Sequence, residues 1–154
     1  MKDIARKNLI DHIIQVLDNS KLIKYKLVDI DEDINFLITP IVKIPEIENT
    51  LSIHFILYCS DEHELTIYCP MLFRLEADGS IMYMLNAINN VNSKIAIGKI
   101  YLNSKNTTTI SYINRVLFND ITNEFTTKLF EDYLSSFIFA SIELQKEIKN
   151  RYEI

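Results

Sequence analysis

Tryptophan is absent from this chain, glycine and cysteine occur twice each, and proline three times. The shortage of glycine excludes phosphate-cradling loops and dinucleotide fingerprints, which need several backbone positions free of a Cβ at fixed spacing. Cys59 and Cys69 are too few for the disulfide framework of a small secreted domain. No uncharged apolar run reaches the ~20 residues that span a bilayer, and Leu51 to Cys59 and Tyr133 to Ile142 are about half that. The start, MKDIARKNLIDH, is broken by Asp3 and Asp11 and lacks the apolar core of a signal peptide. These absences lead us to expect a cytoplasmic protein with no membrane partner. Positive charge is also in deficit, with 16 basic against 21 acidic residues, a net charge of −5 and a pI near 5.2. That sign disfavours a non-specific grip on phosphate backbones, so no nucleic-acid partner is expected. Lys2, Arg6, Lys7 and Lys146, Lys149, Arg151 alternate with acids and read as solvated helix ends.

What is present is an ordinary globular composition, 154 residues with 48% hydrophobic and 24% charged. It is enough for a single domain over residues 1–154 that buries roughly two-thirds of the surface its unfolded chain exposes. Ile4, Leu9, Ile10, Ile13, Ile14 and Leu17 recur at helical spacing over Asp3 to Leu17. Tyr25 to Ile30 and Ile34 to Val42 form a β-rich pair about the acidic turn Asp31-Glu32-Asp33, with Pro40 and Pro45 marking an edge or irregular exit. Leu51 to Cys59 and Leu65 to Cys69 make a second pair about Ser60 to Glu64. The first of these carries bulk on both faces, as a central strand does. Asp78-Gly79-Ser80 is a turn and N-cap before a short helix with Ile81, Met84, Leu85, Ile88 and Val91. Strands over Ile95 to Leu102 and Thr108 to Leu117 follow, joined through Asn103 to Asn106. A last helix capped by Thr122 runs to about Lys149. One of its stripes is Phe125, Leu129, Tyr133, Phe137, Leu144, Ile148 and another is Phe130, Leu134, Ile138, Ile142. The order helix, four strands, short helix, two strands, long helix predicts an α+β fold, helices packed on a mostly antiparallel sheet.

Chemistry is sparse. His54, Cys59, His63 and Cys69 are the densest set of potential metal ligands, and a zinc site needs ligands converging at about 2.0 to 2.3 Å. If the hairpin loop is Asp61-Glu62, the two thiols project from opposite faces. With one more loop residue they share a face but lie roughly 13 Å apart at ~3.3 Å per residue. Neither register makes a site, and the cysteines read as small core residues. His12 falls on the polar side of the first helix with no nucleophile placed beside it, so it reads as a surface histidine. Asp29, Asp31, Glu32 and Asp33 crowd one turn but lack the glycine and terminal glutamate of a calcium loop. Tyr58, Tyr68, Tyr101, Tyr112, Phe130, Tyr133, Phe137 and Phe139 fill the core, floor a pocket or line a partner groove.

The stretch from Leu85 to Phe137 resembles the YbjN-like family of bacterial proteins, whose fold is that of type III secretion chaperones. The resemblance rests on the Asn-rich helix end Leu85-Asn86-Ala87-Ile88-Asn89, a strand pair about a polar turn, and a long amphipathic helix introduced by a turn and Thr122. The family more often has Trp where Ile88 stands and a Gly-Gly pair where Asn119-Asp120 stands. The resemblance implies an α+β domain without enzymatic activity or cofactor. Its matched positions Asn86, Asn89 and Gly98 have structural roles, helix termination and a strand irregularity. It also implies a protein-binding, chaperone-like or regulatory module. With the apolar last helix, it leads to the expectation of a homodimer or partner face at Phe130, Leu134 and Ile138. A small-molecule binder with an aromatic pocket between helix and sheet is the alternative.

Overall fold

The computed structural model describes residues 3–30, 33–40, 53–74, 81–103 and 109–152. Its elements follow the expected order: α1 (Asp3–Asn19), β1 (Ile23–Ile30), β2 (Asp33–Pro40), β3 (Phe55–Cys59), β4 (Glu64–Arg74), α2 (Ile81–Asn92), β5 (Lys99–Leu102), β6 (Thr109–Leu117), a single turn α3 (Ile121–Glu124) and α4 (Thr127–Tyr152). The six strands form one sheet in the order β1-β2-β3-β4-β6-β5, every neighbouring pair antiparallel. The class is α+β, and β3 lies inside the sheet, as its two bulky faces require.

Alternation decides the core. Ile34, Phe36, Ile38, Phe55, Leu57, Cys59, Leu65, Ile67, Cys69, Ile100, Ile110 and Tyr112 share one face and are buried. Phe137 of α4 lies over that face, with ring centroids 4.9 Å from Phe55 and 5.2 Å from Tyr112. α1 and α2 both pack against α4, and their buried residues join the same core. This layering settles the two stripes of the last helix. Phe130 and Leu134 are 0% and 1% exposed within the single chain, and Ile138 packs half-buried against the core. The expected pairing face is therefore corrected at Phe130 and Leu134, which offer a partner no surface, while Ile138 is buried only in part.

Boundaries moved where tertiary contacts won. The last helix does not begin at Thr122. Asp120 caps α3, accepting from the Thr122 N–H at 3.0 Å, and α4 starts afresh with the Thr126 Oγ1 accepting from the Leu129 N–H. The expected strand from Ile95 begins only at Lys99, because Gly98 takes φ +75° and the Ile97 carbonyl turns to accept from Ser136 Oγ at 2.8 Å. β3 begins at Phe55, with Ile53 and His54 outside regular structure. β4 continues through Pro70 to Arg74, since the register against β6 shifts between Cys69 and Phe73 and no ladder bond is asked of the proline nitrogen. Asp31-Glu32, Pro45, the start of the Leu51 run, Asp78-Gly79-Ser80 and Ser104 to Asn106 lie outside the described residues.

Candidate functional site

The longer of the two hairpin registers is realised. Cys59 stands opposite Leu65, so both thiols point to the helix side, where they are buried and unbonded to each other. Burial pushes each thiol up to about 12, opposing the thiolate that a metal or a nucleophilic role requires. His54 bonds Thr39 Oγ1 at 2.6 Å, and His63 bonds the Asn119 carbonyl at 2.7 Å, so the four residues do not converge. Among the described residues, no three His, Cys, Asp or Glu side chains are grouped to hold a metal.

His12 proves to be a tie between elements rather than a free surface residue. Its Nε2 bonds the Phe125 carbonyl at 2.7 Å, and Thr127 Oγ1 donates to the Val16 carbonyl at 3.0 Å, fixing α1 against the α3–α4 link. Asn86 and Asn89 are exposed on α2, and the Asn89 carbonyl accepts from the Ser93 N–H where the helix ends. Gly98 sits against the buried Tyr112, whose hydroxyl faces the Ile97 carbonyl. The aromatic set divides by parity. Tyr112, Phe130, Tyr133 and Phe137 are core, Phe139 is exposed, and Tyr58, Tyr68 and Tyr101 are on the other face of the sheet.

That second face is the candidate site. The helices pack on the opposite side, and Leu37, Ile56, Tyr68 and Ile113 stand opposite one another in a row across β2, β3, β4 and β6. Tyr58, Tyr68 and Tyr101 run diagonally over this row. Partial burial and a hydrogen bond with Tyr68 raise the Tyr101 phenol above its usual value. Leu37 is 37% exposed, while Ile56, Ile113 and the three tyrosines are half-buried by their neighbours. Lys24, Lys26, Arg74, Lys99 and Arg115 share this face, against Asp33 and Glu64. Glu64 is engaged by Arg115 at 2.8 Å. An acidic protein thus gathers basic groups around an apolar, phenol-rich surface.

At the margin of this face, a recess of about 460 Å³ is lined by Gly98, Lys99, Ile113, Asn114 and Arg115. It lies beside β6, not between helix and sheet, where Phe55, Tyr112 and Phe137 pack ring to ring. Asn114 is 5% exposed, and among the described residues its buried Nδ2 has no hydrogen-bond partner. Composition hinted at the tyrosines, but the recess has no sequence signal beyond Gly98. It exists because β5 is four residues long and β6 is nine. No protein-family model, curated protein or solved structure matches the chain.

Proposed function

We propose that this chain is a non-enzymatic polypeptide-binding module, chaperone-like or regulatory in kind, that works in the cytoplasm and holds an acidic partner protein against the open face of its sheet. The observation that carries the reading is the Leu37-Ile56-Tyr68-Ile113 row, crossed by Tyr58 and Tyr101 and bordered by Lys24, Lys26, Lys99 and Arg115. Tyrosine combines a large apolar body with a polar tip at low entropic cost and recurs where binding energy concentrates. Basic residues at the rim favour acidic partners and steer their approach. The YbjN-like resemblance of residues 85–137 supports the same class.

A photo-crosslinking residue in place of Tyr68 tests this directly in native cell extract. It should trap a polypeptide that the same residue in place of Lys128, on the exposed side of α4, does not. Leu37→Asp should reduce that capture at least tenfold while the melting temperature moves little. Equal trapping at both positions, or retention of a small molecule alone, overturns the reading.

A homodimer belongs to the same proposal, on another surface. Ile81, Met82, Tyr83 and Leu85 at the start of α2 are 50%, 66%, 53% and 40% exposed, an apolar patch of the kind that second copies cover. Light scattering should give about twice 18.0 kDa, and Met82→Lys should return the monomer.

A further inference from the structure

The hydrogen-bond phase of β6 follows from one side chain. Asn92 of α2 grips the outer edge of β5. Its Oδ1 accepts from the Ile100 N–H at 2.9 Å, and its Nδ2 donates to the Ile100 carbonyl at 3.0 Å. Both Ile100 backbone groups therefore point away from β6, and Ile100–Tyr112 is a pair that exchanges no ladder bonds. Antiparallel ladders alternate, so Tyr112, Asn114 and Val116 bond towards β4, while Ser111, Ile113, Arg115 and Leu117 bond towards β5. Two further bonds agree with this phase: Asn103 N–H to the Thr109 carbonyl at 3.1 Å, and Phe118 N–H to the His63 carbonyl at 2.6 Å. Ile113 finds Lys99, but the chain turns away at Gly98. Among the described residues, the N–H and C=O groups of Arg115 and Leu117 meet no strand on that side.

We infer that this unpaired end of β6 is a docking notch for an extended, acidic segment of the partner polypeptide, which adds a strand beyond Gly98 in line with β5. The inference rests on the proposed polypeptide-binding function and names how part of that partner is held. Sheet edges with paired orientation and no cover are templates for strand addition. Two features select this edge. Arg115 and Leu117 present two ladder positions of the same phase, enough for a short guest to exchange bonds at alternate residues. Lys99 and Arg115 line the recess beside them, with Arg115 paired to Glu64 at 2.8 Å and Lys99 at the end of the notch, so guest side chains of the open-face parity meet a surplus of cations.

The test uses the full chain and two sets of fluorescent ten-residue peptides: one alternating Asp or Glu with Val, Ile and Thr, the other with Lys in place of every acid. Fluorescence anisotropy should show binding of the acidic set only. Leu117→Pro removes one outward N–H without touching the β4 ladder, and Leu117 is 74% exposed, so the fold should survive. It should weaken the acidic peptide about tenfold or more, with Leu117→Ala unchanged. N-methylation of the peptide supplies a second measurement that does not depend on the variant's folding. Methyl groups at one parity should abolish binding and at the other leave it intact, the signature of a strand ladder. Absence of binding by the acidic set, or insensitivity to both Leu117→Pro and N-methyl parity, overturns the notch. Continued crosslinking of a polypeptide at Tyr68 then shows that the open-face reading survives without it, and loss of that crosslink shows that both fall.

Discussion

Replacing Gly98 by Ala concentrates two costs at one atom. The backbone there has φ +75°, a region that L side chains rarely adopt and that costs about 1 to 2 kcal/mol for a residue with a Cβ. The added methyl also meets the Tyr112 ring, 2.6 Å from Cζ and 2.8 Å from Cε2, with the hydroxyl oxygen nearer still. The ring cannot swing aside. Tyr112 is fully buried, stands edge-on to Phe137 at 5.2 Å and is hemmed in by the Ile97 turn that Ser136 holds. Overpacking of such a site costs typically 1 to 3 kcal/mol, so Gly98→Ala should destabilise by about 2 to 5 kcal/mol. In a domain of this size that lowers Tm by roughly 5 to 15 °C, measured by circular dichroism. A thermodynamic cycle with Tyr112→Phe separates the two costs. The Tyr112 hydroxyl lies 3.4 Å from the Ile97 carbonyl, so its removal alone costs little, about 0.5 kcal/mol. In the Gly98→Ala background the same removal should recover about 1 kcal/mol, leaving the backbone strain and the ring-carbon overlap. An unchanged Tm for Gly98→Ala would refute the steric argument, and strict additivity in the cycle would refute its assignment to Tyr112.

Three other outcomes follow from the same geometry. The Cys59 and Cys69 thiols are pushed by burial from 9.0 to about 12, and the Tyr112 phenol from 10.0 to about 12. The unfolded chain therefore loses these protons first, and stability is intact below pH 9 and falls as pH rises from 9 towards 12. Each group contributes about 1.4 kcal/mol per pH unit over its own interval, so urea midpoints that stay level from pH 8 to 11 would contradict their burial. Asn92→Ala should expose both backbone groups of Ile100, cost about 1 to 3 kcal/mol and accelerate hydrogen exchange at the Ile100 amide; an unaltered exchange rate refutes the clamp. Val116→Pro breaks a ladder bond to Leu65, where Leu117→Pro breaks none, so the first should cost about 3 kcal/mol or more and the second far less. Equal melting temperatures would invert the strand phase deduced from Asn92.

Local periodicity is what the amino-acid order makes legible. The element order, the α+β class, the central position of β3 and the inward aim of both thiols in one of two weighed registers are all legible, because alternation and helical spacing record which side of each element meets the core. Tertiary structure decided the rest, since it turns on contacts between residues far apart in the chain. The two stripes of α4 are visible in the sequence, but only packing showed that Phe130 and Leu134 are covered within the single chain. His12 looked solvent-facing until the fold brought the Phe125 carbonyl to it across 113 positions. Tyr58, Tyr68 and Tyr101 became a surface rather than a core when the helices all packed on the opposite side of the sheet. The notch beside β6 depends on where β5 stops, which Gly98, Tyr112 and Ser136 fix together. The shortage of glycine with which the chain presents itself excludes nucleotide loops, and one of the two glycines it keeps ends a strand early enough to leave the outward backbone groups of Arg115 and Leu117 without a strand partner among the described residues.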